Sequence, residues 1–331
     1  MKLADRWLVG AYQGSCWLWP LRPLGKLYQW LMQRRARQFQ TGRRRAWRAP
    51  VPVIIVGNIT LGGTGKSPLV AWLGNRLAAQ GWSPGIVSRG YGGSAERYPL
   101  RVTPTTPVSE SGDEPLMLAQ QTGLPVMVDP QRARAVEALV QAGCDLIISD
   151  DGLQHLHLAR DIELVVIDGA RGLGNGHCLP AGPLREPPDR LKSVDAVIVN
   201  GVNTCELPVA AVKMHLGPCS WRRLDDGQRF PLAPLPFEAP VNGLAAIGNP
   251  QRFFAALTSL GVTGEWHPLA DHQPLTETLL NQWRGRPLVM TAKDAVKCQA
   301  FAPPDSWVLD VEAVLPPDFE HWLTGKLSAL T

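Results

Sequence analysis

The residues best suited to chemistry in this chain of 331 residues sit just after short apolar runs. The first cluster is Thr60-Leu61-Gly62-Gly63-Thr64-Gly65-Lys66-Ser67, preceded by Val53-Ile54-Ile55-Val56-Gly57. A β-branched run, a glycine-rich turn, Lys-Ser and then a helical pattern is the layout of a loop that closes backbone N–H groups around a phosphate. The helix N-terminus adds partial positive charge, the lysine reaches the outer phosphates of a nucleotide, and the hydroxyl holds Mg²⁺. Thr60 stands where the usual pattern has its first glycine, while the Gly62–Ser67 core is intact.

Asp150-Asp151-Gly152-Leu153-Gln154-His155 follows the apolar run Leu146-Ile147-Ile148-Ser149. A strand that ends in acids, about 85 residues beyond the phosphate loop, suits a Mg²⁺ ion held directly or through water. His155 in that loop is read either as structural or as part of the site. Asp113-Glu114 open a helical pattern. Two readings stand for them: acids favoured at a helix start, or a carboxylate facing the phosphate loop and taking a proton from an attacking hydroxyl. Arg185-Glu186 close a run of small residues, Leu179-Pro180-Ala181-Gly182-Pro183-Leu184. They form a surface ion pair or present Arg185 to transferring phosphate charge. Arg89-Gly90-Tyr91-Gly92-Gly93 places one cation in a glycine loop, as a plain turn or as a contact for an anionic substrate.

These clusters need a scaffold that brings strand ends together. Apolar runs at 85–88, 125–128, 146–149, 164–167 and 196–199 alternate with helical patterns at 68–79, 114–122 and 131–142. Near-continuous apolar strands between helices predict an α/β fold: a doubly wound, mainly parallel sheet of the P-loop NTPase type. Ligands then sit beyond the carboxyl ends of the strands. Strands at 243–247, 287–291 and 307–311 with helices at 251–260 and 317–329 predict a smaller C-terminal α/β unit. The proline-punctuated stretch between reads as linker and hairpin, with a strand over Ala211–Leu216. The expected division is a membrane-associating helical segment at 1–48, a P-loop core at 49–205, a linker at 206–240 and the smaller unit at 241–331.

Charge is unevenly spread. Residues 1–95 hold 14 Lys and Arg against one acid, Asp5, and carry +13; the remainder hold 19 against 28 and carry −9. A basic N-terminal part points to an anionic partner. The uncharged run 7–21 is shorter than the roughly 20 residues of a spanning helix and lacks a cleavage pattern. Beyond Pro23, Leu24, Leu27, Tyr28 and Leu31 share a helical face, and Trp7, Trp17, Trp19, Trp30 and Trp47 lie among the cations. Trp and Arg around an amphipathic helix suit an anionic membrane surface. No nucleic-acid module follows, and no protein partner is evident. Six scattered cysteines without C-x-x-C spacing argue against a zinc site or a disulfide framework.

Taken in order, Gly-Asn-Ile-Thr-Leu-Gly-Gly-Thr-Gly-Lys-Ser-Pro, Ser-Arg-Gly-Tyr-Gly-Gly, Gly-Asp-Glu-Pro, Asp-Asp-Gly-Leu-Gln-His and Leu-Pro-Ala-Gly-Pro-Leu-Arg-Glu resemble the tetraacyldisaccharide 4'-kinase family of lipid A biosynthesis. Asp271-His272 and Thr291-Ala292-Lys293-Asp294-Ala295-Val296-Lys297 extend the resemblance to essentially the whole chain. Leu153 stands where the family also has Phe. The resemblance implies ATP-dependent phosphorylation of the 4'-hydroxyl of an acylated glucosamine disaccharide 1-phosphate. It implies action at the cytoplasmic face of a Gram-negative inner membrane, held peripherally or monotopically. It also implies that Asp113 is the catalytic Asp and His272 its partner, and that Asp150, Asp151, His155, Arg185 and Glu186 are motif positions. The cleft between the two units is then the active site, with Arg89 and Glu114 supporting it. A P-loop switch that hydrolyses nucleotide without a sugar acceptor, and a non-enzymatic nucleotide-binding scaffold, are the rival readings.

Overall fold

The computed structural model describes residues 3–271 and 273–330. The chain opens with α1 (Leu3–Gln13), a 3₁₀ turn (Cys16–Leu21) and α2 (Arg22–Gln40). The P-loop half follows: β1 (Val53–Gly57), α3 (Lys66–Ala79), β2 (Pro84–Ser88), β3 (Leu100–Val102), α4 (Val108–Ser111), α5 (Asp113–Thr122), β4 (Val126–Val128), α6 (Arg132–Gln141), β5 (Leu146–Asp150), β6 (Ile162–Asp168) and β7 (Ala196–Asn200). The rest comprises β8 (Val212–Arg223), β9 (Arg229–Phe230), β10 (Val241–Ala245), α7 (Pro250–Ser259), β11 (Gly264–Pro268), α8 (Glu277–Leu280), β12 (Leu288–Thr291), α9 (Ala292–Cys298), β13 (Ser306–Val314) and α10 (Pro317–Ser328).

The thirteen strands of the described residues belong to one sheet, in the order β11-β10-β12-β13-β8-β7-β6-β1-β5-β2-β4-β3, with β9 beside β8. β1 is the buried centre of the P-loop half, parallel to β5 on one side and β6 on the other. Successive strands leave β1 in both directions, which opens a crevice at the carboxyl ends of β1, β5 and β6. The β-branched residues Val53, Ile54, Ile55 and Val56 are buried because helices cover both faces of the sheet. One core face, with Ile54, Leu69, Leu73 and Ile148, continues into the C-terminal half through Leu288, Met290 and Phe319. The opposite face of the C-terminal half is an aromatic cluster around Trp221, Trp307 and Phe237.

The segment expected to be linker and hairpin holds the longest strand, β8, of 12 residues. It runs parallel to β7 and antiparallel to β13, so it joins the two half-sheets edge to edge. Pro218 hid it from sequence reading. The ladder shifts between Asp310 and Val311, where Ser220 and Pro218 face β13 and Cys219 is skipped. A bulge is where a strand tolerates proline, because the missing N–H is not needed there.

The N-terminal segment packs on the P-loop half by one side only. Trp17, Trp19, Leu24, Leu27, Trp30 and Leu31 are exposed. Tyr28, expected on that apolar face, is instead half-buried, and so is Trp47, whose backbone pairs with Leu158. Among the described residues no helix is long and apolar enough to cross a membrane.

Candidate active site

The phosphate loop links β1 to α3. Gly62 (φ 93°) and Gly65 (φ 94°) take left-handed conformations that favour glycine. The carbonyls of residues 61–64 are held by side chains. Leu61 O accepts from the Tyr12 hydroxyl at 2.6 Å, Gly62 O from Asn58 Nδ2 at 3.4 Å and Thr64 O from Asn200 Nδ2 at 3.0 Å. Gly63 O accepts from the Arg171 guanidinium. In a trans peptide the N–H points opposite to the C=O. These bonds therefore turn the N–H groups of residues 62–65 away from the side chains that hold them. None of those N–H groups reaches a protein acceptor among the described residues. A run of free N–H groups at a helix start is a nest for an anion. Thr60, in the first-glycine position, is buried and its backbone bridges to Leu184, while Leu61 N donates to Pro183 O at 2.9 Å.

At the end of β5 the neighbouring acids differ sharply. Asp151 sits at φ 47°, a left-handed conformation that Asp tolerates. Buried Arg132 fixes it there by donating to the carbonyls of Asp150 at 2.8 Å and Asp151 at 2.7 Å. Burial pushes the Arg132 guanidinium down to about 10 despite the nearby acids. The Asp151 carboxylate meets Lys66 Nζ at 3.5 Å and Arg185 at 3.1 Å. Burial opposes its charge, but Lys66 and Arg185 outweigh burial and hold its pKa below the ordinary value.

Asp150 is 1% exposed, and neither of its carboxylate oxygens has a protein partner. Burial, then the nearby Glu114, push its carboxyl up to about 7. Two buried carboxylate oxygens without partners, with the Ser67 hydroxyl lining the cleft nearby, fit a hard divalent cation such as Mg²⁺. Among the described residues no group of three or more metal-ligating side chains forms. A Mg²⁺ site made from one or two protein oxygens, nucleotide phosphates and water needs none.

On α5, which packs beside α3, Asp113 takes the first position and is buried at 6% exposure. Its position depends on the glycine loop after β2. A Cβ on Gly93 would lie 2.5 Å from Glu110 O and from Gly112 N, so only glycine lets the loop pack on the turn before Asp113. Asp113 Oδ1 accepts from Glu114 N at 3.0 Å, and Lys297 Nζ of α9 stands 3.9 Å from Oδ2. Lys297 also pairs with Asp294 at 2.9 Å. Lys293 pairs with Glu114 at 3.2 Å and approaches Asp271 at 3.8 Å. Burial opposes the Lys293 charge, but Glu114, Asp113 and Asp271 keep its pKa above the ordinary value. Glu114 lines the same cleft as Lys66 and Ser67, with Lys293 on the far wall. His272 lies outside the described residues.

Arg185 is brought to the phosphate loop by its backbone N–H, which donates to Ile59 O at 2.7 Å. Glu186 faces the other way, accepting from Gln154 at 2.7 Å and Arg190 at 3.2 Å, and burial raises its pKa. His155 is held neutral: burial, then Arg132 and His157, lower it to about 4. Its ring packs near His157, which meets Phe39 of α2 edge-on. Arg89 is exposed at the start of the glycine loop. The structure thus gathers Lys66, Ser67, Asp150, Asp151 and Arg185 at one point and places Asp113 and Glu114 beside them on α5, facing α9. Sequence reasoning missed Tyr12, Asn58, Arg132, Arg171 and Asn200, and it gave no roles to Lys293 and Lys297. Asn58, Lys293 and Lys297 carried a signal, as parts of the first and the C-terminal family motifs.

The family model described as tetraacyldisaccharide-1-P 4'-kinase matches residues 17–328. The tetraacyldisaccharide 4'-kinase of Azotobacter vinelandii is 49% identical over 331 residues, covering 100% of this chain and 99% of that protein. The tetraacyldisaccharide 4'-kinase of Pseudomonas aeruginosa is 47% identical with the same coverage. A crystal structure of LpxK from Aquifex aeolicus in complex with ATP is similar with a TM-score of 0.80 at 26% identity, covering 94% of this chain and 99% of that one.

Proposed function

The chain belongs to the tetraacyldisaccharide-1-P 4'-kinase family, and from that premise we propose how its cleft divides the work of phosphorylating a lipid. It is an ATP-dependent tetraacyldisaccharide 4'-kinase of lipid A biosynthesis, a phosphotransferase with an alcohol acceptor. The phosphates of ATP rest on the free N–H groups of residues 62–65. Lys66 reaches the outer phosphates, and Asp151 and Arg185 hold the lysine and one another in place. Asp150 and Ser67 would hold Mg²⁺, which when bound neutralises charge on the β- and γ-phosphates. Arg185, beside Asp151, meets charge on the transferring phosphoryl group.

Asp113 accepts the proton of the sugar 4'-hydroxyl as its oxygen bonds to the γ-phosphorus. The bond to the β,γ-bridging oxygen breaks and ADP leaves. His272 supports Asp113 in this reading, with Lys297 nearby. Glu114 and Lys293 span the cleft and hold its walls together. Arg89, exposed on the glycine loop, serves the anionic end of the substrate, and neutral His155 braces the acid loop. The observation that carries this assignment is that buried Asp113 opens a helix whose next residue lines the same cleft as Lys66 and Ser67. The test is Asp113→Asn assayed with ATP and a tetraacyldisaccharide 1-phosphate. A fall in kcat of about 10²–10⁴-fold with ATP affinity kept is expected for a lost base. A near-normal kcat would remove Asp113 from that role.

The substrate is a lipid with several acyl chains, so the enzyme must work at a surface. We assign that contact to α1, the 3₁₀ turn and α2, at the cytoplasmic face of the inner membrane and without a spanning helix. Exposed Trp17, Trp19, Leu24, Leu27, Trp30 and Leu31 lie beside a run of Arg side chains on α2 and after it. Replacing Trp17, Trp19 and Trp30 with Glu should abolish sedimentation with anionic vesicles. Undiminished sedimentation would overturn the assignment.

A further inference from the structure

Two of the four side chains that hold the phosphate loop's carbonyls depend on the N-terminal segment. Tyr12, in the last turn of α1, donates to Leu61 O at 2.6 Å. Its ring lies under the Arg171 guanidinium, whose Cζ is 5.1 Å from the ring centroid. Arg171 in turn donates to Gly63 O, and its Nε is buried without a partner. The phenol and the guanidinium thus form one unit that grips alternate carbonyls of the loop. By the peptide geometry above, that unit sets the direction of the Gly62 and Thr64 N–H groups.

Among the described residues, two further hydrogen bonds to backbone carbonyls tie the same helix to the rest of the molecule. Trp7 Nε1 donates to Pro180 O at 3.1 Å, and Asn175 N donates to Ala11 O at 3.1 Å. Gly174 permits the approach, since a Cβ there would fall 3.1 Å from Tyr12 Cδ1 and 3.2 Å from Ala11 O. A helix of 11 residues is marginal by itself, so its placement depends on what it packs against. One side of the segment meets the phosphate loop. The other carries the exposed tryptophans and leucines.

We propose that Tyr12, with Arg171 stacked on it, is a positioning residue for the ATP phosphates, through which docking of the N-terminal segment on a lipid surface sets nucleotide affinity. The coupling rests on the membrane reading above; the grip on the loop does not. A surface that orders α1 raises the fraction of molecules with Tyr12 in place, and by linkage bound nucleotide tightens binding to the surface by the same factor.

The test uses the full chain and a non-hydrolysable ATP analogue with Mg²⁺. Its affinity is measured in detergent and on vesicles of phosphatidylethanolamine and phosphatidylglycerol, with vesicle sedimentation read in parallel. The wild-type protein should bind the analogue about three- to ten-fold more tightly on vesicles, the scale of one hydrogen bond or a modest coupling. Tyr12→Phe keeps the ring and loses the hydroxyl. It should sediment like wild type, raise KM for ATP more than it lowers kcat, and lose the vesicle dependence. Arg171→Met, which keeps an apolar stem over the ring, should do the same and serves if the first variant folds poorly. Wild-type analogue affinity in both variants overturns the grip. A wild-type protein that sediments with vesicles but binds the analogue equally with and without them overturns the coupling. A wild-type protein that ignores vesicles sinks the membrane reading, and the grip is then decided by the affinities in detergent alone.

Discussion

On the P-loop side of the cleft, functional groups hang from the backbone of a parallel sheet. Lys66 and Ser67 start α3, Asp150 ends β5 and Arg185 is tied through its N–H to Ile59 O. On the C-terminal side, the cleft is met by long side chains, Lys293 and Lys297 of α9, at 3.2 Å from Glu114 and 3.9 Å from Asp113. The first wall is pre-formed to within a hydrogen bond. The second is joined to it near the reacting groups through ion pairs, although both belong to one sheet through β8. Short bonds to backbone suit groups that must be in place before nucleotide arrives. Longer ion pairs suit groups whose contact can change when substrates bind.

Substitutions on the two walls should therefore differ in size and in kind. The largest loss is expected for Lys66→Ala. It removes the cation proposed above to reach the phosphates and leaves Asp151 paired with Arg185. A fall in kcat/KM of about 10³-fold or more, with weaker ATP binding, is expected from a lost charge contact to the transferring group. Steady-state kinetics at varied ATP checks it, and an unchanged KM for ATP would break the assignment of this wall to binding.

Arg132→Met should act next, through structure. The buried guanidinium donates to the carbonyls of both Asp150 and Asp151, and the substitution takes that donor from both. Each such loss costs about 1–3 kcal/mol, so a clear fall in thermal stability should accompany lost activity. Scanning calorimetry reads the first effect. Wild-type stability with low activity would mean that Arg132 touches nucleotide instead of holding the acids.

Lys297→Met tests the other wall and should cost less. Asp113 keeps its place at the start of α5 and its bond from Glu114 N. A fall in kcat of about ten-fold, with ATP binding intact, is expected if Lys297 only tunes the carboxylate across the cleft. A loss as deep as that of Lys66→Ala would erase the distinction between the walls.

The same distinction governs what the sequence reveals. Gly62–Ser67, Asp150 and Asp151 are legible because strand, turn and helix are contiguous, and the chemistry falls where periodicity changes. The half-sheet strands are legible for the same reason. β8 is legible only in its first residues, since Pro218 in its middle depends on a bulge against β13 for its place. Tyr12, Arg171 and Asn200 hold loop carbonyls from 49, 108 and 136 residues away, and no local pattern marks a side chain for such a task. Arg132 reads as one cation on the helix α6, and only the fold turns it onto the carbonyls of β5. What stays hidden is the layer that orients the visible residues.

His155 gives the smallest effect and the finest test of that layer. Burial, Arg132 and His157 hold its imidazole neutral and lower it from 6.5 to about 4. Its contribution to stability is present above pH 6.5, where folded and unfolded chains both carry it neutral. As pH falls from 6.5 the unfolded chain takes a proton that the folded chain refuses until about 4, so stability is lost across that window. His155→Asn removes this term. Urea unfolding followed across the window should show a shallower acid-side decline than wild type, with parallel curves above it. The shallower slope must also survive Lys297→Met, because nothing on the C-terminal wall is among the groups that depress the imidazole. A slope that changes with Lys297 would mean that the two walls share their electrostatics and that the acid loop is not set by the P-loop side alone.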